Sequence, residues 1–362
     1  MIQYNCTTLK KGIILKKMTE NILHHFFDFN KLINATAFGN GHINDTYKIE
    51  LKINNRIEIY LLQRLNHQVF SEPFLVMENI QQVADHLSKK KYQLKILSPI
   101  LTLKKQLLYK DSGGNYWRVF NFIKNTIAVE KAETPEQAYE AAKAFGAFAK
   151  ALDDIDISLL KTTIPGFHDG EKRMADFMLA LKNAPSKKIA AAKKEIAGVL
   201  QQKAIFKHIA ALKLPLRAIH HDTKINNLLF DKTTMKAAAV VDLDTVMPGI
   251  VLSDFGDMVR TFASTADEEE RDFTKVEIRA DIYGALTEGF LSEMGNLLTD
   301  AERRSLHEGG PWITLMQAVR FLSDYLKGDV YYKTKYPDHN LHRAGKQLAL
   351  LRSMQQQTFS RR

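Results

Sequence analysis

One short stretch brings together residue types that could do chemistry. In HHDTKINNLLFDKTTMKAAAVVDLDTVMPGIVLSDFGD (220–257), His220, Asp222, Lys224 and Asn227 stand in the order H-x-D-x-K-x-x-N. Phosphoryl transfer needs a carboxylate to receive the proton of the attacking hydroxyl, and oxygen ligands to hold Mg²⁺ against the phosphates. Asp222 is the expected base. Lys224, two residues on, is the expected clamp that neutralises charge on the group in flight, and Asn227 is the first expected metal ligand. A lone H-x-D with a later Asn would carry little weight, because loops use Asp and Asn as turn formers. The residues that follow make the pattern specific.

Two apolar runs, Leu228 to Phe230 and Ala237 to Val241, are parted by the polar turn DKTTMK and read as a hairpin. Its second strand delivers Asp242, the second expected metal ligand. Asp244 points the same way if the chain stays extended, which makes it a weaker metal or substrate candidate. Asp254, Phe255 and Gly256 spell DFG but lie farther downstream, past the Pro248-Gly249 turn. Asp254 therefore reads as a carboxylate that braces the loop, and His220 as a brace too.

The elements around this stretch fall into two regions. Upstream, AFGNGHINDTYKIELKI sets a Gly-x-Gly turn before an alternating strand, Thr46 to Ile53. Gly39 and Gly41 permit positive φ and close approach of backbone N–H groups to phosphate. The next strand, Ile57 to Leu62, leads into Gln63 and Arg64, and Arg64 is the expected cation for the α- and β-phosphates. A helix capped by Ser71, with apolar residues at 74, 77, 80, 83 and 87, carries Glu78 as the expected partner of Arg64. Leu97 to Leu103, Gln106 to Tyr109 and Tyr116 to Ile123 read as further strands. Residues from Asn121 to Thr126 form the expected hinge, where backbone groups of Asn121, Phe122 and Ile123 would meet adenine. Downstream, Thr134 and Gln137 form a capping box before the stripe Ala138, Ala141, Ala142, Phe145, Phe148 and Leu152, and the rest is mostly helical.

The expected organisation is an extension at 1–17, with a helix beginning near Met18, a nucleotide-binding region at 18–123 and a catalytic, acceptor-binding helical region at 124–362. The fold class is α+β: a bilobal protein-kinase-like fold with a β-rich N-terminal lobe and a larger helical C-terminal lobe. Composition agrees with a globular chain, with 45% apolar and 25% charged residues. The single cysteine, Cys6, excludes an intrachain disulfide and fits a reducing cytoplasm. No apolar run reaches the ~20 residues of a membrane-spanning helix. A net charge of +10 favours an anionic ligand such as ATP, but lysines in doublets without interleaved aromatics do not suggest nucleic acid. The region ADEEE (266–270) reads as an acidic helix start on the surface. The expected partners are ATP and a small-molecule acceptor, on a monomer or weak dimer with no nucleic acid and no membrane.

The catalytic stretch resembles the aminoglycoside phosphotransferase and choline kinase superfamily. FGNGHINDTY, YLLQRLNHQVF, YWRVFNFI, PGFHD, HHDTKINN, VVDLDTVMPG and VRFLSDYLKGDVYY together resemble its N-acetylhexosamine 1-kinase branch, over roughly residues 20 to 335. The resemblance implies ATP and Mg²⁺ as cofactors, Asp222 as base, Asn227 and Asp242 as metal ligands, and sugar contacts at His42, Arg320 and Tyr331. His221 departs from the Asn that such members often carry. Arg320 and Tyr331 would flank a helix running from near Pro311 to around Leu326, with Trp312 either stacking on a sugar face or lying in the core. The implied activity is phosphorylation of the anomeric hydroxyl of an N-acetylhexosamine. A kinase for an aminoglycoside, choline or homoserine-like alcohol is the alternative, and a nucleotide-binding pseudokinase a third.

Overall fold

The computed structural model describes residues 18–39 and 43–357. The extension at 1–17 and the expected contacts Gly41 and His42 lie outside the described residues. The chain divides into two compact units, one of residues up to 91 together with 95–124, the other of 92–94 together with 125 onwards. Among the described residues no helix is long and apolar enough to cross a membrane.

In the first unit, helical residues 18–23 (α1) precede β1 (Lys31–Ala37), β2 (Asp45–Ile53), β3 (Arg56–Leu65), α2 (Pro73–Lys89), β4 (Pro99–Ile100), β5 (Tyr109–Lys110) and β6 (Tyr116–Asn121). The strands form one sheet in the order β1-β2-β3-β6-β4, with β5 also on β6. β1 is a strand that the sequence reading did not anticipate. Side chains alternate across a strand, so register decides which residues share a face. Ile49, Leu51, Leu62, Trp117 and Val119 share one face and pack with Ile22, Leu23, Phe26 and Phe29. The helix expected to begin near Met18 spans only 18–23, yet Phe26 and Phe29 beyond it still enter the core. α2 begins at Pro73 with Glu72, not Ser71, at its N-cap, and it leaves Phe74 exposed while burying Val76, Met77, Ile80, Val83 and Leu87.

The second unit carries β7 (Thr126–Ala128), α3 (Pro135–Ala151), α4 (Gly170–Asn183), α5 (Ser186–Ala191), α6 (Lys193–Gln202), α7 (Ala204–Ala211), β8 (Arg217–Ile219), β9 (Leu228–Asp231), β10 (Ala237–Val240), β11 (Met247–Gly249), α8 (Val251–Phe262), α9 (Ala280–Met294), α10 (Asp300–Ser305), α11 (Gly309–Lys327) and α12 (His339–Gln356). β9 and β10 form the expected hairpin, and β7 adds to β9. Its turn is held by the Asp231 carboxylate, which accepts from the N–H groups of Thr233 and Thr234 (both 3.0 Å). α3 starts at the Thr134 cap, whose side chain accepts from the Gln137 N–H. It lies so close to α9 that a Cβ at Gly289 would meet the Tyr139 carbonyl oxygen. Gly256 plays the same part between α8 and Gly309, whose carbonyl oxygen would stand 2.2 Å from an added Cβ.

Candidate active site

The catalytic loop is held from three sides before any ligand is considered. His220 is fully buried between the rings of Phe145 and Phe148, at 5.8 and 5.9 Å. Its Nε2 bonds the Val241 carbonyl (2.9 Å), and its Nδ1 accepts the Asp222 N–H (3.3 Å). It thus ties the end of β10 to Asp222. Asp254 accepts the N–H groups of both His220 (2.9 Å) and His221 (2.7 Å), and its carbonyl accepts from the Thr223 hydroxyl (2.6 Å). Burial pushes the Asp254 carboxyl up to about 6, against the pull of His220 and of those two N–H groups. Phe255 is wholly buried and Gly256 is needed for close packing. All three letters of the DFG triplet are therefore structural, and Asp254 is a brace.

Asp222 is half-buried with both carboxylate oxygens engaged. Oδ1 pairs with the Lys224 ammonium (2.9 Å), while Oδ2 accepts from Asn227 Nδ2 (2.8 Å). Burial alone would raise the Asp222 pKa, but Lys224, His220 and Asn227 together outweigh it and hold the group below the ordinary carboxylate range. Burial would lower Lys224 in turn, yet the Asp222 charge raises it, so the ammonium stays charged. The Asn227 amide gives Nδ2 to Asp222, which leaves Oδ1 as its acceptor end. Val241 donates its N–H to the Asn227 carbonyl (2.9 Å), and the next residue, Asp242, is an exposed carboxylate with left-handed backbone (φ 60°). His221, directly before Asp222, also has positive φ (65°). Such conformations cost of order 1 kcal/mol or more and persist where the surroundings dictate them. Two oxygen donors suit Mg²⁺, which keeps waters and phosphates in its shell. Among the described residues no group of three or more His, Cys, Asp or Glu would hold a metal unaided.

Asp244 fails the condition set for it. The left-handed turn at Asp242 leads into a 3₁₀ turn, Leu243–Thr245, so the chain is not extended and Asp244 is buried. Arg64 also departs from expectation. It sits within β3 opposite Asp45 and Trp117, and its guanidinium bonds the Asp45 carboxylate (Nε 2.8 Å) rather than Glu78, which is exposed on α2. Strand alternation is the reason: Arg64 shares parity with Leu62, on the face that packs with α1, whereas Gln63 faces α2. A cation on α2's side that sequence reasoning missed is Arg118. It is fully buried, bonded to Gln63 Oε1 (2.9 Å), near Met77 Sδ (3.5 Å) and over the Phe120 ring (5.0 Å). Gly39 has the positive φ (79°) expected of its turn. Asn121 uses its side chain within the first unit, accepting the Ser98 N–H (2.7 Å) and donating to the Ile96 carbonyl (3.0 Å). Phe122 packs edge-on to Phe38 at 5.6 Å, and Ile123 is buried.

Of the expected acceptor contacts, Arg320 lies in the middle of α11 rather than at its end. Its guanidinium bonds the neutral Gln317 Oε1 (2.9 Å) and lies over the rings of Phe167 (4.7 Å) and Tyr332 (5.6 Å). Tyr331 is exposed against Tyr332, with ring centroids 4.8 Å apart. What presents this pair is the buried Asp324, which accepts the N–H groups of Val330 (3.0 Å), Tyr331 (2.8 Å) and Tyr332 (2.9 Å). Arg173 is lowered by burial and by its neighbour Arg320, and it also feels Tyr331 and Tyr332. Trp312 is core, edge-on to His168 at 6.3 Å. The ADEEE stretch is not a helix start. Glu268 pairs with Arg260 (3.2 Å), and Glu269 pairs with Lys335 (3.2 Å), His339 (2.7 Å) and Arg343. A cavity of the second unit is lined by Phe167, His168, His221, Pro248 and Trp312, without Asp222 or Arg320.

A carboxylate pinned between an ammonium and an amide, on a loop that leads through a hairpin to a second carboxylate, defines a phosphotransferase site. The model of the phosphotransferase enzyme family matches residues 34–278, and the chain belongs to that family. It is an ATP-dependent small-molecule phosphotransferase with the kinase-like fold of that family. Its fold is similar to an aminoglycoside phosphotransferase from Alicyclobacillus acidocaldarius (13% identity, 93% of this chain and 95% of that one, TM-score 0.60). It is also similar to a microcompartment-associated aminopropanol kinase (13%, 94% and 97%, TM-score 0.58). A third likeness is to a choline kinase from Cryptosporidium parvum (12%, 94% and 95%, TM-score 0.54).

Proposed function

We propose that this phosphotransferase transfers the γ-phosphoryl group of ATP to the anomeric hydroxyl of a neutral N-acetylhexosamine, giving the sugar 1-phosphate and ADP. The observation that carries the acceptor class is the mounting of Arg320 between Phe167 and Tyr332, beside Arg173. Two guanidiniums repel an ammonium, which disfavours choline, amino alcohols and aminoglycosides. Aromatic faces and forked donors suit a neutral polyol.

In this reading the sugar oxygen bonds to phosphorus in line as the bond to the leaving ADP oxygen breaks. The transition state is loose, so the demand on the protein is positioning and charge rather than a strong base. That matches Asp222, whose lowered pKa suits orienting the hydroxyl and taking its proton late. Lys224 stays cationic and steadies the moving phosphoryl group. Asn227 Oδ1 and Asp242 would hold Mg²⁺, which neutralises phosphate charge. Gly39 and the backbone of Asn121, Phe122 and Ile123 are the proposed nucleotide contacts in the first unit. Tyr331 joins Arg320 as an acceptor contact.

ADP release tests this across GlcNAc, GalNAc, glucose, choline, ethanolamine and an aminoglycoside. The N-acetylhexosamines should give the highest kcat/KM. Turnover of the amines with none of the sugars would overturn the sugar reading, and no turnover of any acceptor would favour the pseudokinase.

A further inference from the structure

Two guanidiniums of the second unit are fastened to one residue, Phe167. Arg320 lies over its ring (4.7 Å to the centroid), and Arg173 gives its Nε–H to the Phe167 carbonyl (3.2 Å). Arg320 uses only Nη1, on the neutral Gln317 Oε1 (2.9 Å). The Nη groups of Arg173 and the Nε and Nη2 of Arg320 are left over. Both side chains are half-buried, and none of these nitrogens is sealed from solvent. Among the described residues neither arginine forms an ion pair. Asp176, on α4 one turn from Arg173, pairs with Lys172 (3.6 Å), and Glu268 pairs with Arg260 (3.2 Å). The neighbouring phenol adds a further donor. Its ring centroid stands 5.6 Å from the Arg320 guanidinium, and the Tyr332 oxygen accepts from Gln317 Nε2 (3.4 Å), which leaves its own proton to give.

Like charges held together in a half-buried place raise each other's energy, and burial together with Arg320 lowers the Arg173 pKa accordingly. A cluster of donors with no acceptor of its own suits a ligand that only accepts, and a forked guanidinium matches the two oxygens of a carboxylate or phosphate. One oxyanion between the two arginines would satisfy the idle donors and cancel the repulsion. A neutral hydroxyl does the first in part and the second not at all. We propose that Arg173 and Arg320 form an oxyanion subsite that takes a phosphate or carboxylate group. Free phosphate would occupy it in competition with the acceptor, whereas an acidic substituent on a sugar would occupy it as part of the acceptor. The binding stands on the arginine pair alone; the link to the acceptor rests on the sugar reading, in which Arg320 contacts the sugar.

Inorganic phosphate is the probe, titrated calorimetrically into the full chain in the presence of ADP and Mg²⁺. Wild type should bind it, and Arg173→Gln and Arg320→Gln should each weaken binding about 10-fold or more through the loss of a charge-assisted contact. Arg173→Lys, which keeps the charge, should recover most of the affinity. Lys224→Gln, at the transfer site, should leave it within about 2-fold. Absence of binding by wild type, binding unmoved by both arginine variants, or binding lost only in Lys224→Gln would each overturn the subsite. Should one glutamine variant fail to fold, the other carries the test. In turnover with GlcNAc, phosphate should raise the acceptor KM and leave the ATP KM unchanged, and a rise in the ATP KM alone would overturn the placement beside the acceptor. An N-acetylhexosamine with a carboxylate at C6 separates the two sources. A kcat/KM above that of GlcNAc, abolished in Arg173→Gln, identifies the substituent, and equal or lower values identify free phosphate. Absence of turnover of any N-acetylhexosamine overturns the sugar reading and leaves the calorimetric result standing.

Discussion

At the scale of single residues, the site separates carboxylates by what they already hold. Asp222 has Lys224 on one oxygen and Asn227 on the other, so removing its charge should spare binding and damage transfer. Asp222→Asn is expected to lower kcat by about 10²- to 10⁴-fold with ATP affinity nearly unchanged; a variant within threefold of wild type would contradict its assignment as base. Asp242 and Asp254 make a sharper pair. Asp242→Asn should abolish turnover and weaken Mg²⁺-dependent nucleotide binding. Asp254→Asn should mainly destabilise, by about 2–4 kcal/mol, because an amide cannot accept both the His220 and His221 N–H groups. Denaturant unfolding and titration with nucleotide distinguish them, and exchanged phenotypes would mean that the metal site is misplaced.

At the scale of elements, legibility tracked periodicity. The catalytic hairpin and the start of α3 were readable because turn chemistry, caps and alternation all agree there. Arg64 was misassigned by ending β3 too early. The strand continues to Leu65, and counting alternate residues from the buried Leu62 would have put Arg64 on the same face and Gln63 on the other. Arg118 was hidden inside YWRVFN, where Trp117 and Val119 signal the core and the intervening parity passes unnoticed. Asp324 was not legible either, since only tertiary contacts distinguish a buried carboxylate from a solvated one. Asp324→Ala removes an acceptor shared by three N–H groups, so it should raise acceptor KM about 10-fold or more while ATP KM stays put. Equal rises in both constants would show that the 328–332 loop serves something other than the acceptor.

The two histidines beside the catalytic loop make a prediction about pH. Burial depresses His221 from 6.5 to about 3, and burial with the nearby His221 and Arg320 depresses His168 well below 6.5. Below pH 6.5 the unfolded chain binds protons at these positions and the folded chain does not, so stability is lost as the pH falls through 6.5. His221 contributes about 1.4 kcal/mol of loss between about pH 7.5 and about pH 5.5, and His168 adds a loss of the same sign. His168→Gln should therefore show a shallower acid loss than wild type in denaturant titrations at the two pH values. An identical slope would mean that His168 takes up its proton in the folded state.

At the scale of the whole molecule, a β-rich unit followed by a helical one was visible in the order of periods along the chain, and the phosphotransferase class in the stretch from His220 to Asp242. The acceptor was not visible in the same way, because its proposed contacts come from separate elements that only the fold assembles. The proposal adds a physical criterion to the resemblance: the proposed acceptor contact Arg320 lies over the rings of Phe167 and Tyr332. The most direct measurement of the central claim is therefore the identity of the product formed from ATP and GlcNAc or GalNAc. Phosphorus NMR should show the phosphate coupled to the anomeric proton, the ester should be released by mild acid, and the 1-O-methyl glycosides should yield no product. An acid-stable phosphate coupled to the C6 protons, or phosphorylation of the methyl glycosides, would contradict it.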